Sequence, residues 1–142
     1  MTSPQRISKP YLVRTAVDDL LSDLAEGDTV MHVERVLLAD GQRIGLESTY
    51  LPKVRFGSFT ETFDPSTSLY AAVRATGVEF GSAVERIETV LPSPREAALL
   101  ESTTAMPMLL LNRRSLDVDG RPIEVVRALY RGDRIAFETL LT

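Results

Sequence analysis

The chain has no cysteine, no tryptophan and one histidine, His32, in 142 residues. Disulfides, cysteine-based zinc sites, thiol nucleophiles and histidine-based catalytic triads are therefore excluded together. No apolar run approaches the roughly 20 residues of a membrane span. The first ten residues are polar and have no hydrophobic region of the kind that marks export, so the cytoplasm is the expected location. A basic excess is missing too: 16 Lys and Arg stand against 20 Asp and Glu, giving a formal charge of -4 and a pI near 5.0. Phosphate-backbone binding needs the opposite balance, so this segment alone is not expected to bind DNA. Internal repeats, low-complexity tracts and glycine-rich phosphate loops are absent from the sequence. Carboxylate, guanidinium, hydroxyl and phenol chemistry is what remains, with no cofactor or metal site implied.

What is present suits one globular domain, 44% hydrophobic and 25% charged, long enough to bury about two-thirds of its unfolded surface. Residues 1–14, with Pro4 and Pro10, read as a leader or linker. Thr15 is placed to cap a helix through Ala25, because Val17, Leu20, Leu21 and Leu24 recur at helical spacing. Asp28 to Ala39 and Arg43 to Leu51 read as strands joined at Asp40-Gly41. Pro52 to Thr67 reads as a long irregular loop, and Ser68 to Thr76 as a short helix ended by Gly77. A strand from Glu79 to Leu91 follows. Ser93-Pro94-Arg95-Glu96 combines a capping Ser, Pro at the first helical position and Glu at N3, which opens a helix through Leu100. Strands are then expected over Pro107 to Val118, Pro122 to Tyr130 and Arg134 to Leu141, the first two joined at Asp119-Gly120. Antiparallel strands with short helices on one side make an α+β domain.

Parity puts Glu124, Val126, Ala128 and Tyr130 on one face of their strand. A carboxylate and a phenol flanking small side chains form a shallow floor for a polar ligand; as a solvated strand residue and an amphipathic edge residue the two would have no such role. In the first hairpin a two-residue loop sets Glu34 against Glu47, a like-charge pair. A three-residue loop, Asp40-Gly41-Gln42, sets Arg35 against Glu47 and is the preferred register. His32 reads as a half-buried strand residue, since no second histidine accompanies it, and Met106 and Met108 as core.

Several segments together resemble a known family: His32-Val-Glu-Arg-Val-Leu-Leu-Ala-Asp-Gly41, Ile44-Gly-Leu-Glu-Ser-Thr-Tyr-Leu-Pro52, Ser68-Leu-Tyr70, Glu85 to Glu88, Asp119-Gly-Arg-Pro-Ile-Glu124 and Tyr130-Arg-Gly-Asp-Arg134. In that order, from about Thr15 to the C-terminus, they resemble the UTRA effector domain, the C-terminal half of HutC-type regulators in the GntR family of bacterial repressors. The resemblance implies a chorismate-lyase-like α+β fold and a homodimer. It also implies an N-terminal winged helix-turn-helix, outside residues 1–142, through which alone DNA would be reached. The chain is then either an effector domain beginning in its linker or a stand-alone sensor.

The resemblance further implies an effector pocket at Arg35, Glu47, Ser68, Tyr70, Glu124 and Tyr130. Arg and Ser suit an anion, and the carboxylates and phenols suit hydroxyls or an amine. Sugar-phosphate binders of the family commonly carry a second Arg at the position of Leu37, so the expected effector is a sugar phosphate, an amino acid or an organic acid. The expected function is non-catalytic sensing, with the lid role falling to Pro52 to Thr67. The alternative is a metal-free lyase in which Arg35 holds a carboxylate and Glu124 acts as an acid.

Overall fold

Two short strands, β1 (Thr2–Arg6) and β2 (Tyr11–Arg14), pair antiparallel along one edge of β3 (Thr29–Ala39), β1 against Arg35 to Ala39 and β2 against Thr29 to His32. Both fall in the stretch read as a leader, which here partners an eleven-residue strand. The structure is a computed structural model and describes residues 2–6, 11–14, 29–56 and 69–141. The helix expected over 15–25, Ser68 and the loop beyond Phe56 lie outside the described residues.

β3 turns into β4 (Gln42–Pro52) through Asp40 and Gly41 alone, both at positive φ (52° and 76°), as a type I′ turn requires. Ala39 faces Gln42 and Leu38 faces Arg43, but Leu37 faces Gly45. Arg35 therefore meets Glu47, the pairing that the sequence favours. The route differs from the expectation: the loop has two residues, and the extra residue enters as a β-bulge.

After β4 come α1 (Lys53–Phe56), α2 (Leu69–Ala75), β5 (Phe80–Val90), α3 (Pro94–Leu99), β6 (Met108–Asp117) and β7 (Pro122–Arg131). The described residues form one antiparallel sheet with central order β3-β4-β7-β6-β5. This is the α+β class expected. Two boundaries need correction. Lys53–Phe56, expected as irregular loop, is a helical turn. Arg134 to Leu141 is not a strand: the amides of Arg134 and Ile135 donate to the Arg131 carbonyl and the chain runs on irregularly. Both edges of β7 are taken by β4 and β6, so a segment following a tight turn finds no edge to join.

Each face of the sheet is covered differently. On one, Val36, Leu46, Met108, Leu110 and Leu129 pack with Leu100 and the partly buried Leu99 at the end of α3. Full burial of such side chains is worth about 1.5–3 kcal/mol each. The capping box predicted for α3 is present, with Glu96 N donating to Ser93 Oγ at 3.2 Å and Ser93 N to Glu96 Oε1 at 2.8 Å. Polar ties fix the helix to the same face: Arg95 pairs with Glu34, Arg127 Nη1 donates to Glu96 at 2.8 Å, and Arg131 Nη1 donates to the carbonyls of Leu100 and Glu101. On the opposite face, α1 and α2 cover one end through Met31, Leu51, Phe56, Val73 and Ile123. The middle of that face carries a second buried cluster, Leu111, Val126 and Ala128, with Tyr130 packed against it.

Candidate functional site

Between the bulges the strands pair residue for residue, so this face reads as rows across the sheet. One row runs Leu37, Gly45, Tyr130, Leu109; the next Arg35, Glu47, Ala128, Leu111; the next Val33, Thr49, Val126, Arg113, Glu85; and the last Glu124, Ser115, Ala83. Rows lie about 6.7 Å apart, two residues along a strand. Four of the six expected site residues, Arg35, Glu47, Glu124 and Tyr130, thus share one surface by backbone register alone.

Arg35 and Glu47 form an ion pair whose guanidinium side chain is only 6% exposed. The pair is buried rather than a solvent-screened surface bridge, and its carboxylate is matched inside the protein. Tyr130 lies over Gly45, where a Cβ would stand 2.8 Å from ring Cδ1. Burial, followed by the Glu47 carboxylate, pushes the phenol upward from its ordinary value; Arg113, Glu85 and Arg35 also act on it, so these charges converge on one ring.

Glu124 is 2% exposed and accepts from Ser115 Oγ at 3.1 Å and Arg113 Nη2 at 3.2 Å. Burial pushes its carboxyl above the usual range, against the pull of Arg113 and Ser115. Its place is set by the β6–β7 turn. Asp117 accepts the amides of Asp119 and Arg121, each at 2.9 Å, and is held by Arg55, while a bulge at Ser115 and Leu116 brings Glu124 opposite Ser115. Arg113 also reaches Glu85 at 3.5 Å. Thr49, 1% exposed, holds a buried hydroxyl with no hydrogen-bond partner among the described residues.

Beside Glu124 opens a cavity of about 280 Å³. Tyr70 and Phe80, stacked with centroids 4.5 Å apart, make one wall; Arg113, Ser115 and Glu124 make the floor, and residues 81–83 of β5 the rim. Of the expected group, Tyr70 and Glu124 line this cavity; Arg35, Glu47 and Tyr130 share the sheet face but not the described lining, and Ser68 lies outside the described residues. Sequence reasoning missed Arg113, Ser115 and Glu85. The alternation Leu109, Leu111, Arg113, Ser115 carried the signal, but only the hairpin register turns it toward Glu124. His32 sits on the reverse face, buried and stacked on Tyr50 with rings 4.4 Å apart, which fits a structural residue. Among the described residues no group of three His, Asp or Glu is placed to hold a metal, and no helix is long and apolar enough to cross a membrane.

The comparisons agree with this architecture. The transcriptional repressor PhnF of Mycolicibacterium smegmatis is 50% identical over 115 residues, 81% of this chain and 47% of that protein. The repressor NagR of Bacillus subtilis is 25% identical over 129 residues, 89% of this chain and 53% of its own. The chain thus spans about half the length of these curated relatives. The crystal structure of the effector domain of PhnF from Mycobacterium smegmatis superposes with a TM-score of 0.92 at 42% identity, covering 100% of this chain and 88% of that one. The chorismate-lyase-like fold class expected from the resemblance is the one found. These relatives are named transcriptional repressors rather than lyases, which sets the lyase alternative aside. The UTRA domain model matches residues 14–136, nearly the whole sequence, and the chain belongs to the UTRA domain family.

Proposed function

We propose that this chain is the effector-binding and dimerisation domain of a GntR-type transcriptional repressor, acting in the cytoplasm, whose DNA contacts are made by a separate winged helix-turn-helix. The effector is a small polar or anionic metabolite: a sugar phosphate, an amino acid or an organic acid. It occupies the face bearing Arg35, Glu47, Glu124 and Tyr130, with Tyr70 at its wall; Ser68, outside the described residues, is the sixth candidate contact. The observation that carries the reading is Glu124, a buried carboxylate at the floor of an open cavity, in a domain whose relatives are named repressors. Differential affinity for two conformations is all that a sensor needs; no bond is made or broken.

The test is a thermal-shift screen of the chain against those three ligand classes. A ligand at 100 times its dissociation constant adds about 2.7 kcal/mol of stability. We expect one class to raise the melting temperature and Glu124→Gln to abolish the effect. An equal response in that variant refutes the site. Sedimentation at micromolar concentration tests the dimer, and a monomer with and without ligand refutes it.

A further inference from the structure

On this face the described side chains of Arg35 and Arg113 are paired with the carboxylates of Glu47, Glu85 and Glu124. Arg35 is matched to Glu47; Arg113 reaches Glu124 at 3.2 Å and Glu85 at 3.5 Å. The pairs differ in how readily they open. Arg35 is buried within its pair, whereas Arg113 is 30% exposed and divides its guanidinium between two carboxylates, at 3.2 and 3.5 Å. Arg113 also lines the cavity with Glu124, so it is the guanidinium that an entering acid can recruit.

From this we infer that Arg113 determines specificity and that the effector is a compact zwitterion: its acid group takes Arg113, and its amine takes the carboxylates that Arg113 releases, Glu124 foremost. The inference rests on the proposed effector site and narrows its ligand. The reason is charge conservation at a buried position. An acid alone would draw Arg113 away and leave Glu124 with only the Ser115 hydroxyl, and an unpaired buried carboxylate is costly. An amine alone would meet Glu124 with Arg113 still in place, cation against cation. A ligand carrying both exchanges partners without leaving a charge unmatched. The cavity of about 280 Å³ suits a small molecule rather than a large one. The stacked Tyr70 and Phe80 give its carbon chain an apolar wall.

Two matched triads test this by calorimetry on the chain near neutral pH. One compares β-alanine with propionate and propylamine; the other compares phosphoethanolamine with ethyl phosphate and ethanolamine. The expected result is that a zwitterion binds at least tenfold more tightly than both of its single-group analogues, the triads separating carboxylic from phosphoric acids. Arg113→Gln, and independently Glu85→Gln at a half-exposed position, should reduce that preference severalfold. The inference is overturned if an acid-only probe equals its zwitterion, if neither zwitterion binds, or if Arg113→Gln leaves the preference intact. A different ligand that binds and depends on Glu124 would overturn the zwitterion and leave the site standing. A ligand response indifferent to Glu124→Gln overturns the site itself.

Discussion

The ring of Tyr130 lies across the α-carbon of Gly45, its cross-strand neighbour, so closely that a Cβ at position 45 would stand 2.8 Å from Cδ1 and 3.1 Å from Cε1. Phe137 meets the same ring edge-on at 5.5 Å. The glycine therefore fixes how deep the phenol sits against the sheet. Gly45→Ala forces the ring outward, and overpacking of this kind costs about 1–3 kcal/mol. Urea unfolding should show most of that cost vanish in a Tyr130→Ala background, leaving the smaller term from the Leu129 carbonyl at 3.3 Å. An equal cost in both backgrounds would mean that the ring is not its cause.

Arg35→Ala leaves the Glu47 carboxylate, 17% exposed, without its guanidinium. Removing one member of a buried pair costs about 3–5 kcal/mol, whereas replacing both with apolar residues of similar volume is often neutral. Arg35→Met with Glu47→Leu should accordingly recover most of the stability lost in Arg35→Ala, as read from denaturant midpoints. A double variant as unstable as the single one would show that shape, not charge, holds this pair.

The first hairpin shows what was legible in the sequence. Asp40-Gly41 announced a turn, and avoidance of a Glu34–Glu47 clash chose the register, yet the bulge that delivers it has no local signature. The α3 capping box was legible in full, because its hydrogen bonds connect residues three apart. Glu124 and Tyr130 were legible as a pair because parity acts within one strand. Arg113 and Glu85 were not, because their approach to Glu124 depends on β5–β6 and β6–β7 registers, and the latter shifts at Ser115. The failed strand at Arg134 to Leu141 has the same origin: its composition suits a strand, but edge availability is a property of the finished sheet.

On the reverse face, burial lowers the His32 imidazole below its ordinary 6.5; Glu34 raises it and Arg95 lowers it. The unfolded chain then binds more protons than the native state between the lowered value and 6.5, so stability falls as pH drops through that window. Above it His32 contributes no slope. His32→Phe keeps an aromatic ring against Tyr50 and cannot titrate. Urea midpoints from about pH 8 to about pH 5 should therefore decline less in the variant than in the wild type. Parallel declines would exclude His32 as the source.

Glu124 has the opposite sign. Burial raises its native pKa above the ordinary 4.5, so the folded chain binds the proton more readily than the unfolded chain does. Its contribution to ligand-free stability is greatest below the ordinary value and diminishes as pH rises through the raised one. Other carboxylates run the other way: the Arg121 amide holds Asp117 low, and Ser93 and Arg127 hold Glu96 low despite its burial, so both stabilise the fold above their ordinary range and lose that effect in acid. Raw pH profiles will mix these contributions. The difference between wild type and Glu124→Gln cancels them, because Gln keeps an acceptor for Ser115 and changes no other carboxyl. That difference should favour the wild type progressively less as pH rises above about 4.5, then level off. A difference that grows with pH would mean that Arg113 and Ser115 outweigh burial, leaving Glu124 a settled ion-pair partner rather than a carboxylate awaiting an amine.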